Sequence, residues 1–404
     1  MTAPMEGAIM TREIIMSHFF RYERLKACPL GIVLILFVAT SLAPAATAQS
    51  ASLDNTIRRE MHRAHVPGLA AGIVKDGELV WAKGYGHANL AREIPVTLDT
   101  LFNLASVSKT ITATAAMQLA EKGILDLDAD VNAYLPFTVR HPRFRNRPIT
   151  TRQLLTHTAG IQDDWDILEA GYVRGGDSPV ALGDFLEDYL DPAGRDYKRS
   201  NFTNHAPGTR HEYSNVGYAL LGYVVEAASG QPFDSWCNER IFAPLGMDET
   251  SWRLEGMRRA RVAVPYGFRG GRYRPYGHYG YPDYPNGLLR SSVRELSRFV
   301  AAHLNAGSLD GERILLPRSA RAMRTIQNPS IANDMGLGFF ADTMGGLLMV
   351  GHDGGDDGVS TQMWFSRGAG IGVIVLTNGD ADDDAESNAL YRVLVRLIRE
   401  AKAL

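Results

Sequence analysis

The chain has 404 residues, of which 45 % are hydrophobic and 22 % charged, and a formal net charge of −3. This composition is ordinary for a globular protein with a sizeable core. The small negative charge gives no reason to expect a nucleic acid or an anionic membrane as a partner.

Residues 1–48 have the pattern of a secretory signal peptide. Basic side chains precede the apolar residues 30–42, a run too short to span a bilayer comfortably. Residues 46–48, Ala-Thr-Ala, then form a small-residue cleavage site. We therefore expect a periplasmic or secreted protein that begins at Gln49 and has no stable membrane insertion after cleavage. An uncleaved N-terminal anchor is the alternative.

Two β-rich runs, residues 69–75 and 78–86, open the mature chain of residues 49–404. Asp76 and Gly77 join them, and this dipeptide is typical of a tight hairpin turn. The pattern predicts two neighbouring antiparallel strands.

A Ser-x-x-Lys motif, formed by Ser106 and Lys109, precedes a predicted helix over residues 110–121. Helical residues three apart share a face, so the Lys109 ammonium can reach the Ser106 hydroxyl. A serine hydroxyl needs an adjacent base, and lysine is a base only when burial or a nearby cation lowers its pKa. An ordinary helix start with a serine N-cap is the alternative interpretation.

A second polar pair, Tyr213 and Asn215, precedes a predicted helix over residues 216–228. Residues two apart on a loop can point into the same pocket. A phenol near a cation can transfer protons, and an amide can hydrogen-bond both a substrate and a lysine. The alternative is a plain loop in which Ser214 or Asn215 caps the helix.

Two features lie between this pair and the last motif. Cys237 is the one cysteine of the predicted mature chain, and with no feature nearby that suggests activation we expect a buried structural thiol. Residues 265–285 are rich in tyrosine, glycine and proline. They fit either a wall of a substrate cleft or a tyrosine-packed surface loop.

A glycine-rich motif, residues 351–355 (Gly-His-Asp-Gly-Gly), follows an apolar run. A glycine-rich strand lets a substrate lie against exposed backbone and can supply an N–H group to an oxyanion hole. A glycine turn in a hairpin is the alternative.

The C-terminal part of the chain completes the predicted fold. It contains three β-rich runs and one helical pattern, at residues 347–350, 361–366, 371–378 and 387–401. Together with the first hairpin they indicate one antiparallel sheet flanked by terminal helices. The middle of the chain, roughly residues 110–290, is predicted to form an inserted all-α subdomain. The sequence thus predicts an α/β (α+β) fold.

The three motifs, in this order, resemble those of the serine β-lactamase and penicillin-binding protein superfamily. The branch in question holds class C β-lactamases, D-alanyl-D-alanine carboxypeptidases, D-aminopeptidases and β-lactamase-like esterases. Residues 154–160 (Leu-Leu-Thr-His-Thr-Ala-Gly) are similar to a further family stretch, with Ala159 in place of Ser. The resemblance covers roughly residues 53–398. It implies a β-lactamase/transpeptidase-like fold, an α/β sandwich beside an all-α lobe, with the site in the cleft between them.

The resemblance also implies roles for the catalytic side chains. Ser106 would attack a carbonyl carbon, and Lys109 and Tyr213 would share the proton transfers, either being the general base. Asn215 would hold Lys109 and the substrate amide. Neither a metal nor an organic cofactor would be needed.

The glycine-rich motif would bind the substrate. The resemblance places the oxyanion between the N–H groups of Ser106 and Gly355, with Gly354 and His352 on the same substrate-binding strand. His352 stands where typical β-lactamases have Lys, and Asp353 where Thr or Ser is usual. An ionised Asp353 in the cleft would repel a substrate carboxylate. We therefore expect neutral or amine-bearing substrates to be preferred and β-lactam turnover to be weak.

The leading hypothesis is an exported serine hydrolase that cleaves a small-molecule ester, amide or peptide through an acyl-enzyme on Ser106. A D-alanyl-D-alanine carboxypeptidase or a β-lactamase is the first alternative. A non-catalytic penicillin-binding or scaffolding protein is the second, although a silent relative has no chemical need for Ser106, Lys109, Tyr213 and Asn215 together. The sequence does not indicate an oligomeric state.

Overall fold

The computed structural model describes residues 43–380 and 384–404. The predicted signal peptide, apart from residues 43–48, lies outside the described residues. None of the helices within the described residues combines the length and the apolarity that a membrane span requires. Residues Ala51–Leu404 form one compact unit, and this unit contains all three sequence motifs.

The dominant element is a seven-stranded sheet in the order β12-β13-β14-β15-β1-β2-β3, and every neighbouring pair in it is antiparallel. Four two-stranded pairs, β4-β9, β5-β8, β6-β7 and β10-β11, lie outside it. The strands are β1 Gly68–Lys75, β2 Glu78–Asn89, β3 Ile94–Pro95, β4 Phe102–Asn103, β5 Val173–Arg174, β6 Tyr266–Arg269, β7 Arg272–Pro275, β8 Tyr279–Gly280, β9 Arg290–Ser291, β10 Ser308–Leu309, β11 Glu312–Arg313, β12 Phe340–Met344, β13 Leu347–Asp356, β14 Val359–Ser366 and β15 Ile371–Thr377.

Helices lie near both ends of the described part of the chain and, between short strands and loops, in its middle. They are α1 Ala43–Arg63, α2 Ser108–Glu121, α3 Thr151–Leu155, α4 Trp165–Ala170, α5 Leu182–Leu190, α6 Asn215–Ser229, α7 Phe233–Cys237, α8 Val293–Leu304, α9 Pro317–Arg324 and α10 Asp384–Ala403. The helices predicted over residues 110–121, 216–228 and 387–401 correspond to α2, α6 and α10.

Side chains alternate between the two faces of the sheet, because successive residues of a strand point in opposite directions. On β15, Val373 and Val375 pack into one buried cluster with Leu53 of α1 and Leu394 of α10. Ile374 and Leu376 pack into the other cluster with residues of α2, α6 and α8. The sheet therefore separates a core under the terminal helices from a larger core that it shares with the helical middle of the chain.

These observations confirm the predicted fold class, an antiparallel sheet with terminal helices. The middle of the chain is not all-α as predicted, since the short strand pairs β5-β8 and β6-β7 lie within it. The strand hydrogen bonds also decide the nature of the glycine-rich motif, since β13 runs through it to Asp356. The motif is therefore strand and not a hairpin turn. On one edge, β13 pairs with β14 along the motif. On the other, β12 reaches only to Gly351, so among the described strands none covers this edge along the rest of the motif. Cys237 is buried, as expected.

Candidate active site

The Ser-x-x-Lys motif begins in a single 3₁₀ turn, Ala105–Val107, which leads directly into α2. The Lys109 side chain turns back along the helix and has no exposed surface. Its Nζ donates hydrogen bonds to Ser106 Oγ at 3.0 Å, Asn215 Oδ1 at 2.8 Å and the Asn286 carbonyl oxygen at 2.9 Å. The i and i+3 spacing thus brings the hydroxyl and the amine together, while two distant segments fix the amine.

Burial lowers the pKa of Lys109 to about 7, because desolvation penalises the ammonium. The carboxylates of Asp163, Asp283 and Asp356 oppose this shift without cancelling it. A substantial fraction of neutral amine is therefore present near neutral pH, which is the form that can accept a proton.

The Tyr213 phenol is hydrogen-bonded to the Ser106 hydroxyl. The Tyr213 ring packs 4.9 Å from Lys109 Nζ. The residue keeps 40 % of its surface exposed, whereas the surroundings of its hydroxyl are buried and raise the pKa of the phenol well above its ordinary value. The phenol is therefore neutral near pH 7, a proton donor and acceptor and not an anion.

Asp163 holds Tyr213 and Asn215 in the cleft by fixing the residues around them. Its carboxylate accepts hydrogen bonds from Ser214 Oγ at 2.9 Å and from the backbone N–H groups of Asn215 at 2.9 Å and Val216 at 3.1 Å. Ser214 in turn caps α6 by accepting from the Gly217 N–H. A carboxylate at a helix N-terminus satisfies N–H groups that have no helical partner and is favoured by the dipole.

Gly354 allows β13 to pass directly beside the nucleophile turn. A Cβ atom there would lie 2.6 Å from the Leu104 carbonyl oxygen and 2.9 Å from the Ser106 backbone nitrogen. At Gly355 a Cβ would have nothing within 4 Å, and Gly355 lines the cleft. The close approach is the physical reason for glycine at the first of these two positions.

This difference gives a matched pair of substitutions. We expect Gly354→Ala to lower the free energy of unfolding by about 1–3 kcal/mol and to displace Ser106, because backbone atoms must move to admit the methyl group. Gly355→Ala should change the stability by less than about 0.5 kcal/mol. Chemical denaturation of both variants measures this, and equal losses of stability would contradict the packing of β13 against the turn.

A cavity of about 620 Å³ opens over this group and is lined by Ser106, Tyr213, Asn215 and Gly355 among others. Three further groups of side chains line the cavity. They are Trp165 and Tyr172, then Tyr281 and Asp283 of the tyrosine-rich segment, and finally Asp356 and Asp357 at the end of β13. The tyrosine-rich segment therefore contributes to the cleft wall, while its Tyr266, Tyr279 and Tyr284 are buried in the core.

His352 and Asp353 are placed differently from the other candidates. His352 is 2 % exposed and does not line the cavity; its Nδ1 faces the Asp353 carbonyl oxygen at 2.5 Å, and burial lowers the pKa of the imidazole. The Asp353 side chain is 67 % exposed and is also absent from the cavity wall. Its carboxylate nevertheless lies 3.7 Å from His352 Nδ1, and its negative charge favours the protonated forms of Lys109 and Tyr213. The expectation that Asp353 repels a substrate carboxylate therefore stays a prediction.

Further negative charge in the cleft comes from two aspartates that line it, Asp356 and Asp283. Asp356 accepts hydrogen bonds from Tyr172 and Tyr281 at 2.7 and 3.1 Å, and burial raises its pKa to about 6. Asp283 accepts from Asn286 Nδ2 at 2.7 Å, and burial raises its pKa to about 7. No local motif marks these aspartates, since each becomes part of the site only through packing.

A family model described as Beta-lactamase matches residues 53–397 of the chain. The chain belongs to the beta-lactamase family. The resemblance inferred from the three motifs is thereby confirmed, and with it membership of a serine hydrolase family.

Several relatives of this beta-lactamase family member are known. Penicillin-binding protein 4 of Amycolatopsis lactamdurans is 33 % identical over 78 % of the chain and 81 % of that protein. Protein flp of Staphylococcus aureus strain MRSA252 is 26 % identical over 81 % of the chain but 62 % of that protein, so the chain spans less than two thirds of its length. The solved structure of D-alanine carboxypeptidase AmpC from Burkholderia cenocepacia aligns with a TM-score of 0.65 at 26 % identity, over 86 % of the chain and 99 % of that protein.

Proposed function

We propose that this protein is an exported serine hydrolase that cleaves esters or amides through an acyl-enzyme on Ser106. The observation that carries the proposal is the buried Lys109 amine, 3.0 Å from Ser106 Oγ and with a pKa lowered to about 7. A serine with a poised base at hydrogen-bonding distance is the arrangement that nucleophilic catalysis requires. The family, which consists of serine hydrolases, supports the same reaction class.

Lys109 is the general base of this proposal. Its neutral amine takes the Ser106 proton while Oγ attacks the carbonyl carbon, forming a tetrahedral intermediate. Tyr213 is a poor candidate for the base, because burial raises the pKa of its phenol and keeps it protonated. The phenol instead relays the proton from Lys109 to the leaving oxygen or nitrogen, and the acyl group remains on Ser106. In the second step water attacks the acyl carbon and gives its proton to the same pair, which returns a proton to Ser106 Oγ as the acid leaves.

The oxyanion is held between the backbone N–H groups of Ser106 and Gly355. The approach of Gly354 to the Ser106 nitrogen supports this assignment, because it brings strand and turn to the same side of the nucleophile. One such donor contributes about 3 kcal/mol to transition-state stabilisation in other hydrolases. Asn215 and the backbone of β13 position the substrate, and His352 supports the strand from within the core.

The direct test of the proposal is intact-mass spectrometry after exposure to three probes: benzylpenicillin, a p-nitrophenyl ester and a D-amino-acid amide. A mass increase equal to the acyl group of at least one probe is expected. A protein that gains no acyl mass from any of them and hydrolyses none would favour the non-catalytic alternative.

We further expect neutral or amine-bearing substrates to be preferred over matched carboxylates by at least about tenfold in kcat/KM, which is about 1.4 kcal/mol. Asp356, Asp357 and Glu169 line the cavity, and Arg174, the cation in its wall, is paired with Asp357 at 2.6 Å. Like charges in a desolvated cleft repel. The measurement compares a neutral ester with its carboxylate and amine analogues at pH 8.

Two variants locate the origin of this preference. Asp356→Asn should lower the ratio of kcat/KM between the neutral and the carboxylate substrate, because the amide keeps a hydrogen-bonding oxygen and removes the charge. Asp353→Asn tests the exposed carboxylate beside the cavity and should reduce the preference less, because the Asp353 side chain does not line the cavity. A wild-type preference for the carboxylate would contradict the prediction and favour the D-alanyl-D-alanine carboxypeptidase alternative. The solved relative from Burkholderia cenocepacia is named D-alanine carboxypeptidase AmpC.

Export is part of the proposal and rests on the signal pattern of residues 1–48. N-terminal sequencing of the protein secreted by its native host should begin at Gln49. An intact N-terminus recovered in the membrane fraction would support the uncleaved anchor instead.

A further inference from the structure

His157 lies against Tyr213 although the proposed chemistry does not use it. The two rings are stacked, with centroids 4.2 Å apart and an interplanar angle of 27°. The ring of His157 also packs against Tyr218, at 4.7 Å. His157 therefore forms the inner surface on which the Tyr213 ring rests, opposite the open cleft.

The backbone on both sides of Tyr213 is bound to the same histidine. The Glu212 N–H donates to the His157 carbonyl oxygen at 2.7 Å, and the Ser214 N–H donates to His157 Nδ1 at 3.1 Å. A backbone N–H can only donate, so Nδ1 is unprotonated and the ring proton is on Nε2. One residue thus fixes the ring of Tyr213 and both of its chain neighbours.

Two costs accompany this arrangement. His157 Nε2 is buried and has no hydrogen-bond partner within the part of the chain that the structure describes, and an unpartnered buried donor is unfavourable. His157 also has a φ of 52°, in the left-handed region that non-glycine residues seldom adopt. Strain and unsatisfied polar groups of this kind cluster at functional sites, where the surrounding structure holds them in place.

The alternatives at this position explain why histidine is present. Phenylalanine would keep the stacked ring and remove the unpartnered Nε2, but it would leave the Ser214 N–H without its acceptor. Asparagine would keep an acceptor and tolerate the backbone conformation, but it would lose the ring. Histidine supplies both contacts, and burial together with the neighbouring Lys109 lowers its pKa and keeps it neutral.

We propose that His157 is a positioning residue that holds the Tyr213 hydroxyl at Ser106 by stacking on the ring and accepting from the Ser214 N–H. This inference rests on the proposed function, in which Tyr213 relays the proton. The histidine touches neither substrate nor reacting atoms, so its effect passes through the Tyr213 hydroxyl and disappears when that hydroxyl is absent.

The experiment is a double-mutant cycle of His157→Phe with Tyr213→Phe, measured as the single-turnover rate of Ser106 acylation by p-nitrophenyl acetate. In the wild-type background His157→Phe should slow acylation by about 10²-fold, the effect of a misplaced catalytic group, with KM changed by less than about twofold. In the Tyr213→Phe background the same substitution should change the rate by less than about threefold. Such non-additivity is the signature of two residues that act through each other.

Two further variants provide a substitute for His157→Phe and a control. His157→Asn should behave as His157→Phe does and replaces it if that protein fails to fold. His211→Phe is the matched control: His211 belongs to the same aromatic cluster, where its ring contacts His157 and Phe340. It should acylate normally, because phenylalanine keeps these ring contacts and the rings that contact Tyr213 are those of His157 and His352. Equal losses in the two Tyr213 backgrounds, or no loss in the wild-type background, would overturn the proposal. Acylation that survives Ser106→Ala would instead overturn the proposed function, so the two failures are distinguishable.

Discussion

Ser106→Ala should abolish covalent acylation and lower kcat by about 10⁶-fold, as removal of the nucleophile does in other serine hydrolases. The fold should remain intact, because the hydrogen bonds of Ser106 Oγ are with the active-site side chains of Lys109 and Tyr213 at the edge of the cleft. Intact-mass spectrometry with the reactive probe measures the acylation, and circular dichroism with chemical denaturation measures the fold.

Ser108→Ala is the matched control for the nucleophile. Ser108 belongs to the same motif, but it is fully buried and its hydroxyl accepts from the Leu289 N–H at 3.2 Å. We expect this variant to lose about 1 kcal/mol of stability and to acylate at the wild-type rate. A Ser106→Ala protein that still gains the acyl mass at the normal rate would show that another residue is the nucleophile.

Lys109→Met should slow acylation by about 10⁴-fold, the upper range for removal of a general base. The methionine side chain is similar in length and introduces no charge into the buried site.

In the wild-type protein, the acylation rate should rise with pH through a midpoint near 7, because only the neutral Lys109 accepts the Ser106 proton and burial lowers its pKa to about 7. The acylation rate should fall towards acid pH, because the protonated amine cannot accept the Ser106 proton.

Lys122→Met is the control for the lysine. Lys122 follows the last residue of the same helix, exposed and 4.8 Å from the Trp236 ring, and its substitution should not affect the acylation rate.

Asp283→Asn tests the electrostatics of the pH profile. The Asp283 carboxylate raises the pKa of Lys109, so its removal should move the midpoint of the acylation rate to lower pH. A flat profile between pH 5.5 and 8.5 would exclude a titrating Lys109 as the base.

The sequence by itself predicted those features that depend on local spacing. The antiparallel sheet followed from β-rich runs at the two ends of the chain, and the terminal helix from its apolar periodicity, since both patterns are written in neighbouring residues. The pairing of Ser106 with Lys109 needed nothing beyond the helical repeat. Their chemical roles, and those of Tyr213 and Asn215, remain predictions for the substitutions at these positions to test.

The tertiary structure decided which side chains line the cleft and how they affect Lys109, because both depend on how distant segments pack together. That Asp356 lines the cleft follows from the face of β13 that packs on the helical part of the chain, and an alternating strand gives no local sign of which face this is. Asp163, Asp283 and Asp356 come from separate segments and surround Lys109 only in the folded chain. The lowered pKa of Lys109 likewise arises from burial by those segments, because desolvation is a property of the assembled cleft and not of the motif.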